Sequence, residues 1–423
     1  MNLFNLRRTA VAQPPGCSEA DHRLPAAAAL DDAHLMPGQR QAQQVFVRGQ
    51  GSWLWDSDGR AFLDFSQGGA INSLGHSATV VVNALTEQAQ TLFTPGPAYQ
   101  HRNLLKLAQQ LCRATDSEQA YLLNSGSEAC EAAIKLARKW GQLHRNGASS
   151  IIAARQGCHG RSFASLAASG RADLQGMFEP RLPGFSHVPF NDLAALHAAV
   201  DAHTVAIMLE PIQSDAGVIP ATAEYLKGVE RLCRELGILL ILDEVQTGMG
   251  RCGALLAEQL YGVRADIVVV GKGLGGGVPL AALLARGSAC CSEAGEHGGS
   301  HHGNALMCAA GLAVLDTVLE PGFLARVNDS GRHLREGLNQ LAHRYGRLQV
   351  RGEGLLWALQ LADDCAPAIA AAALQEGLLL DTPQADCLRF TPALNVSRAN
   401  IEEMLRLLTR AFARARTAQL QNR

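Results

Sequence analysis

Short apolar runs alternate with helical stretches through the middle of this 423-residue chain. Continuous Val, Ile and Leu runs are typical of strands that are buried on both faces of a sheet. The alternation predicts an α/β protein with a mainly parallel sheet sandwiched by helices. We expect a large domain at residues 76–308, a smaller α/β domain at 309–423, and an N-terminal arm with part of the smaller domain at 1–75. The strand-like runs are 120–123, 150–154, 205–209, 239–242, 267–270 and 281–284.

One lysine stands directly after such a run. Lys272 follows the β-branched residues Ile267–Val270 and lies between Gly271 and Gly273. Burial at the end of a strand disfavours the charged amine and lowers its pKa. A lysine with a lowered pKa is a nucleophile that can form a Schiff base with a carbonyl group. The glycines leave room for a bulky group beside the backbone.

The same segment admits other interpretations. Residues 271–276 match the dinucleotide pattern GxGxxG, but that pattern must open a helix, and residues 278–284 are typical of a strand. A phosphate-binding P-loop needs Ser or Thr after its lysine, and Gly273 stands there. A surface lysine in a flexible turn stays open on this segment alone.

A second strand-like run ends in Asp243. The carboxyl ends of strands in an open α/β sheet are where ligands bind. By itself, Asp243 with Glu244 could hold Mg²⁺, but no P-loop accompanies the pair. A carboxylate and a lysine at neighbouring strand ends suit pyridoxal phosphate, because the lysine carries the aldehyde and the carboxylate pairs with the ring nitrogen.

A phosphate site is predicted where a helix begins. Ser125, Gly126 and Ser127 precede an alanine-rich helical stretch that runs to Trp140. Either serine can cap the helix, and the free N–H groups and the helix dipole attract an anion. Ordinary helix capping would produce the same pattern.

Together these motifs resemble the class III aminotransferases, pyridoxal-phosphate enzymes of fold type I. The resemblance runs from about Val45 to about Leu408. It is specific for the cofactor and reaction class, and less so for the substrate. The matching segments are Trp55 to Gly59, Leu74-Gly75-His76, Asn124 to Ala129, His159-Gly160-Arg161, Glu210 to Gln213, Asp243 to Gly248, Gly271-Lys272-Gly273 and Arg389-Phe390.

The resemblance implies a role for each matching residue. Lys272 would bind the cofactor aldehyde and then move the proton of the substrate α-carbon, and Asp243 would pair with the ring nitrogen. Arg161 would hold a substrate carboxylate, and Arg389 the α-carboxylate of glutamate or 2-oxoglutarate, since arginine binds carboxylates bidentately. Ser300 would contact the phosphate in the neighbouring subunit of an obligate homodimer. The remaining cofactor contacts implied are Ser125, Gly126, Ser127, Cys158, His159, Val245 and Gln246.

The chain departs from the family pattern around the substrate. Cys158 stands where relatives place an aromatic ring on the cofactor, which predicts weaker cofactor retention. Asp215 stands where the ornithine branch has a glutamate, which pairs with the arginine at the position of Arg389 and so masks it while the diamine binds. Aspartate is one methylene shorter, which leaves open whether Asp215 reaches Arg389. Gly69 replaces a bulky residue and should widen the pocket. His301 and His302, near the edge shared in a dimer, could be polar residues that line the pocket; no Cys or carboxylate stands at ligand spacing from them, so no metal is expected.

Net charge and cysteine content indicate which classes of partner and which cellular compartment to expect. The net charge of −2 gives no reason to expect nucleic acid, and no apolar run reaches the roughly 18 residues that span a membrane. Eleven scattered cysteines without a CxxC pair favour a reducing cytoplasm. Arg7-Arg8 precede no long apolar stretch, so we expect residues 1–40 to be a mobile or dimer-embracing arm and not a secretory signal.

The resemblance implies transamination from an ω-amino compound of the acetylornithine or ornithine type to 2-oxoglutarate. Diaminobutyrate or 4-aminobutyrate as donor, and an aminomutase, stay open. So does a pyridoxal-phosphate-binding protein without turnover, which Cys158 and Asp215 motivate.

Overall fold

The structure is a computed structural model that describes residues 34–36, 44–171, 176–346 and 348–421. Apart from residues 34–36, the predicted arm at 1–40 lies outside the described residues. The fold is that of the compact unit Phe46–Arg423. Its strands are β1 Phe46–Gln50, β2 Trp53–Asp56, β3 Ala61–Asp64, β4 Gln119–Leu123, β5 Ser150–Ala154, β6 Phe185–Val188, β7 Thr204–Leu209, β8 Ile212–Gln213, β9 Ile219–Pro220, β10 Leu239–Asp243, β11 Ile267–Val270, β12 Ala281–Ala285, β13 Gln349–Glu353, β14 Leu356–Gln360, β15 Leu378–Leu379, β16 Asp381–Gln384 and β17 Cys387–Phe390.

The helices are placed between these strands, as the alternating pattern predicts. Most connect one strand to the next, and the longer ones present apolar faces to the core. They are α1 Gln67–Ala70, α2 Thr79–Ala89, α3 Arg102–Thr115, α4 Gly126–His144, α5 Phe163–Ala168, α6 Leu193–Ala199, α7 Ala223–Leu236, α8 Glu258–Tyr261, α9 Ala305–Val318, α10 Phe323–Tyr345, α11 Ala366–Gln375 and α12 Arg398–Gln421.

A seven-stranded sheet is the largest sheet of this unit, in the order β4-β12-β11-β10-β7-β5-β6. Strand β12 is antiparallel to both of its neighbours, and the other neighbouring pairs are parallel. The predicted, mainly parallel sheet is therefore confirmed. All residues of β7, β10, β11 and β12 are buried, which explains why their sequences are continuously apolar and do not alternate.

The register of the central strands brings the two predicted catalytic residues to one edge. Strands β10 and β11 are parallel, and Asp243 pairs with Val269. Lys272 follows three residues later, beyond the end of β11. Because parallel strands end on the same side of a sheet, both side chains reach the carboxyl edge, where α/β sheets bind ligands.

The antiparallel pair β8-β9 and two four-stranded sheets complete the unit. One has the order β1-β2-β3-β15, and its β3 pairs in parallel with β15 from the C-terminal part of the chain. The other has the order β13-β14-β17-β16, and its strand β17 carries Arg389. The division into domains at residues 75 and 308 stays a prediction.

Among the described residues, no single helix is both long and apolar enough to cross a membrane. Only α9 and α10 taken together reach that length and composition, and they are bent by 74°.

Candidate active site

Lys272 enters the site from a strained turn. Its φ is +39°, in the left-handed region that costs a non-glycine residue about 1–2 kcal/mol. The residue opens a short 3₁₀ turn, Lys272–Leu274, directly after β11 and Gly271. Its Nζ donates a hydrogen bond to Oε1 of Gln246. Burial lowers the pKa of the amine, as predicted from its position at a strand end, although the nearby Asp215 carboxylate opposes the shift.

Asp243 ends β10 and is 4% exposed. Its Oδ2 lies 2.8 Å from Nδ1 of His159 and accepts a hydrogen bond from the thiol of Cys130 at 3.3 Å. Its Oδ1 accepts from the N–H of Val245 at 3.0 Å. Burial and the nearby Asp243 charge raise the pKa of Cys130 well above its usual value, so this cysteine is a neutral donor. These contacts hold the carboxylate at one orientation.

The tertiary structure also brings together a group that sequence spacing does not show. Cys130, His159 and Asp243 each offer a ligand atom within 4.8 Å of the other two, and all three are buried. Such residues are the types that bind zinc. They come from α4, a loop and β10, so no local spacing motif joins them. The absence of a metal from the functional site stays a prediction.

The predicted phosphate site lies at the start of α4. Ser125 caps the helix by accepting from the N–H of Glu128 at 3.2 Å, and the Glu128 carboxylate accepts from the N–H of Ser125 at 3.0 Å. This capping box leaves the N–H groups of Gly126 and Ser127 at the open end of the helix. A Cβ on Gly126 would lie 2.8 Å from Cγ1 of Val245, so only glycine fits there. The geometry suits a bound anion.

Arg389 is held between two carboxylates. Its NH1 lies 2.7 Å from Oδ1 of Asp215 and donates to Oγ of Ser214 at 2.9 Å, and its NH2 lies 3.4 Å from Oδ2 of Asp381. The shorter side chain of Asp215 therefore does reach the arginine. Burial raises the pKa of Asp215, but the Arg389 and Lys272 charges outweigh it and hold the pKa at about 2. Sequence reasoning missed Ser214 and Asp381.

Cys158 lies beside Asp215 and contacts Arg161. NH1 of the exposed Arg161 is 3.6 Å from the sulfur of Cys158, and the N–H of Cys158 donates to Oε2 of Glu210 at 2.9 Å. Burial, with the charges of Asp215 and Glu210, raises the pKa of the Cys158 thiol to about 12. Cys158 is therefore a neutral thiol at physiological pH and not a reactive thiolate.

A cavity of about 210 Å³ joins most of these groups. Half-buried Gly69 and exposed Ser300 are not among the residues that line it. His302 lies apart, where its Nδ1 is 2.7 Å from the hydroxyl of Tyr121. The lining residues are Ser125, Gly126, Ser127, Cys130, Cys158, His159, Gly160, Glu210, Ser214, Asp215, Asp243, Val245, Gln246 and Lys272.

The chemical groups that line the cavity fit pyridoxal phosphate. Nε2 of Gln246 is buried and has no hydrogen-bond partner among the described residues, which suits an oxygen acceptor on a bound group. The lysine amine, the Asp243 carboxylate and the open N–H groups of α4 lie on its wall. They match the aldehyde, ring nitrogen and phosphate of the cofactor in chemical type.

Comparison with known proteins identifies the family. The sequence model of the aminotransferase class-III family matches residues 36–412. An acetylornithine aminotransferase 2 of Bordetella bronchiseptica is 50% identical over 385 residues, which are 90% of this chain and 97% of the relative. The resemblance inferred from the motifs is confirmed.

Solved structures share the fold. The N-acetylornithine aminotransferase of Stenotrophomonas maltophilia has a TM-score of 0.79 and 36% identity, and the match covers 89% of this chain and 98% of that one. An ornithine aminotransferase of Toxoplasma gondii with partial occupancy of PLP at its active site has a TM-score of 0.86 and 29% identity, with coverage of 92% and 94%. The chain described here belongs to the class-III aminotransferases.

Proposed function

We propose that the chain transfers the ω-amino group of an acetylornithine- or ornithine-type donor to 2-oxoglutarate, giving an aldehyde and glutamate. The observation that carries the proposal is the masked arginine: Arg389 is paired with Asp215 beside the cavity that holds Lys272 and Asp243. The 50% identity to an acetylornithine aminotransferase supports the donor class.

Pyridoxal 5′-phosphate is the proposed cofactor, and it would supply an aldehyde that takes up amines and a ring that stabilises negative charge at the adjacent carbon. Lys272 would hold its aldehyde, Asp243 its ring nitrogen, and Gln246 its phenolic oxygen. Ser125, Gly126 and Ser127 would hold its phosphate. Val245 would pack against the ring, with Cys158 and His159 as its other neighbours.

The chain's own groups position the proton transfers. Because burial lowers the pKa of Lys272, a larger fraction of its amine is neutral near pH 7 and can accept a proton from the substrate carbon that bears the reacting amino group. The carboxylate of Asp243 is held by contacts with Cys130, His159 and the N–H of Val245, and it would pair with the ring nitrogen. Gln246 keeps the lysine amine oriented.

The two arginines would sort the substrates. While Asp215 occupies Arg389, an amino donor would place its carboxylate on Arg161, with its ω-amino group towards Lys272. When glutamate or 2-oxoglutarate enters, its α-carboxylate would displace Asp215 and bind Arg389 bidentately. One cavity could then accept both substrates in turn.

We further propose a cytoplasmic homodimer with shared active sites. Ser300 is exposed and does not line the cavity of its own chain. In a homodimer it would complete the phosphate site of the partner subunit. Sedimentation of the loaded protein tests this: a monomer with full activity would contradict it.

The function is tested by mixing the cofactor-loaded protein with single amines and following the cofactor absorbance. Acetylornithine or ornithine should bleach the band, and 2-oxoglutarate should restore it. Lys272→Ala should abolish both changes, whereas Lys227→Ala, which alters an exposed lysine of α7, should not. Normal turnover by Lys272→Ala would refute the proposal.

The same panel separates the alternatives. Bleaching by diaminobutyrate or 4-aminobutyrate, and not by the ornithines, would reassign the donor. Product formation without any oxo acid would indicate an aminomutase. Tight cofactor binding with no response to any amine would indicate a protein without turnover.

A further inference from the structure

A second carboxylate beside Arg389 has no place in the substrate exchange described above. Asp381 lies directly opposite Arg389 in the antiparallel pair of β16 and β17. Opposite charges at facing positions of a ladder attract, and the backbone register keeps them together. NH2 of Arg389 lies 3.4 Å from Oδ2 of Asp381.

The carboxylates of Asp215 and Asp381 differ in how easily each can move away from Arg389. Asp215 is in the turn 214–217, and only its side chain has to rotate to release the guanidinium. Its backbone is tethered, because Nε2 of Gln384 donates to the Asp215 carbonyl at 2.7 Å. Asp381 belongs to a strand, so its Cβ stays opposite Arg389 whatever Asp215 does.

Two carboxylates therefore face the positive charge of Arg389. The Arg389 side chain is 11% exposed, and Asp215 and Asp381 are 31% and 27% exposed. One buried positive charge faces two negative ones, a formal sum of −1. Replacement of Asp215 by a substrate carboxylate leaves that sum unchanged, since Asp381 remains.

We propose that Asp381 is a positioning residue that acts through Arg389: it is a second counter-ion that stays on this arginine during the exchange and limits how tightly the arginine holds any carboxylate. It weakens the hold on Asp215 and on the substrate alike. The exchange then needs no large change in local charge, and neither carboxylate becomes trapped. The inference rests on the proposed function of Arg389 as a carboxylate site.

The test must separate the two effects, because removal of Asp381 strengthens the Asp215 mask as well as the substrate contact. Asp215→Asn removes the charge of the competing mask, so we take this variant as the background. Asp381→Asn is then added, which keeps an oxygen acceptor for NH2 and removes only the charge. The probe is glutarate, a dicarboxylate without an oxo group, titrated into the cofactor-loaded proteins by calorimetry.

We expect Asp215→Asn/Asp381→Asn to bind glutarate at least fivefold more tightly than Asp215→Asn. A unit charge about 6 Å from the ligand carboxylate would give more than tenfold at an effective dielectric constant near 20, and partial exposure reduces this. With Asp215 present, Asp381→Asn should change the affinity less. The matched control is Asp386→Asn, on the loop between β16 and β17, which should not alter glutarate binding in either background.

The possible results separate the role of Asp381 from that of Arg389. Equal or weaker glutarate binding by the double variant would overturn the role of Asp381 and leave the proposed function intact. No glutarate binding by Asp215→Asn itself would overturn Arg389 as a carboxylate site, and with it the proposed function. Cofactor absorbance and thermal unfolding of every variant show whether the fold is retained.

Discussion

The ion pair between Asp215 and Arg389, which masks the arginine, predicts the size of the effect of Asp215→Asn. In the structure Asp215 Oδ1 lies 2.7 Å from NH1 of an arginine whose side chain is 11% exposed. Asparagine has nearly the same shape and keeps an oxygen acceptor, so the substitution removes charge and little else. A hydrogen bond to a charged group contributes about 1.5–3 kcal/mol. We take the lower end, because the amide oxygen still accepts a weaker bond.

A loss of about 1.5 kcal/mol in the mask corresponds to about tenfold in the competition between Asp215 and a substrate carboxylate. The KM for glutamate should therefore fall about tenfold in Asp215→Asn. The reaction with the ω-amino donor should become more sensitive to inhibition by 2-oxoglutarate, because Arg389 is available at all times. The measurement is the rapid-mixing rate of each half-reaction against substrate concentration.

Asp58→Asn, which changes an exposed carboxylate in the turn after β2, is the control and should behave like the wild type. An unchanged or higher KM for glutamate in an Asp215→Asn protein that keeps its cofactor absorbance would contradict this expectation. That result would mean that Asp215 does not compete with substrates for Arg389.

Further expectations concern the cofactor, stability and pH. Cys158→Phe should lower the cofactor Kd about two- to twelvefold in equilibrium dialysis, because a stacked ring adds about 0.5–1.5 kcal/mol; an unchanged Kd contradicts it. Gly126→Ala should weaken cofactor binding, since the new Cβ would lie 2.8 Å from Cγ1 of Val245 and push it into the cavity. Arg286→Met should cost about 3–5 kcal/mol in urea unfolding, as it leaves the buried Glu258 carboxylate without the arginine that lies 2.6 Å away. Because burial lowers the pKa of Lys272, cofactor uptake should rise with pH and level off below 10.5, the ordinary lysine value; a plateau at or above 10.5 would show that burial is not felt.

Local patterns were sufficient for much of the active site. The sequence predicts a helix start and an anion site at Ser125 or Ser127, and in the structure Ser125 caps α4 together with Glu128. Lys272 and Asp243 follow apolar runs, and parallel strands end on one side of a sheet. Strand direction therefore puts both residues at the carboxyl edge, and the sheet order, in which β10 and β11 are neighbours, brings them close together.

The sequence by itself determined the α/β class, the lysine and aspartate at the sheet edge, and the family. Tertiary packing decided the rest, because contacts between distant elements depend on register and loop shape, which no short pattern encodes. Cys130 meets Asp243 only because α4 packs against the central sheet. Asp215 reaches Arg389 in spite of its shorter side chain because the turn 214–217 lies close to β17, and Asp381 joins them through the register of β16.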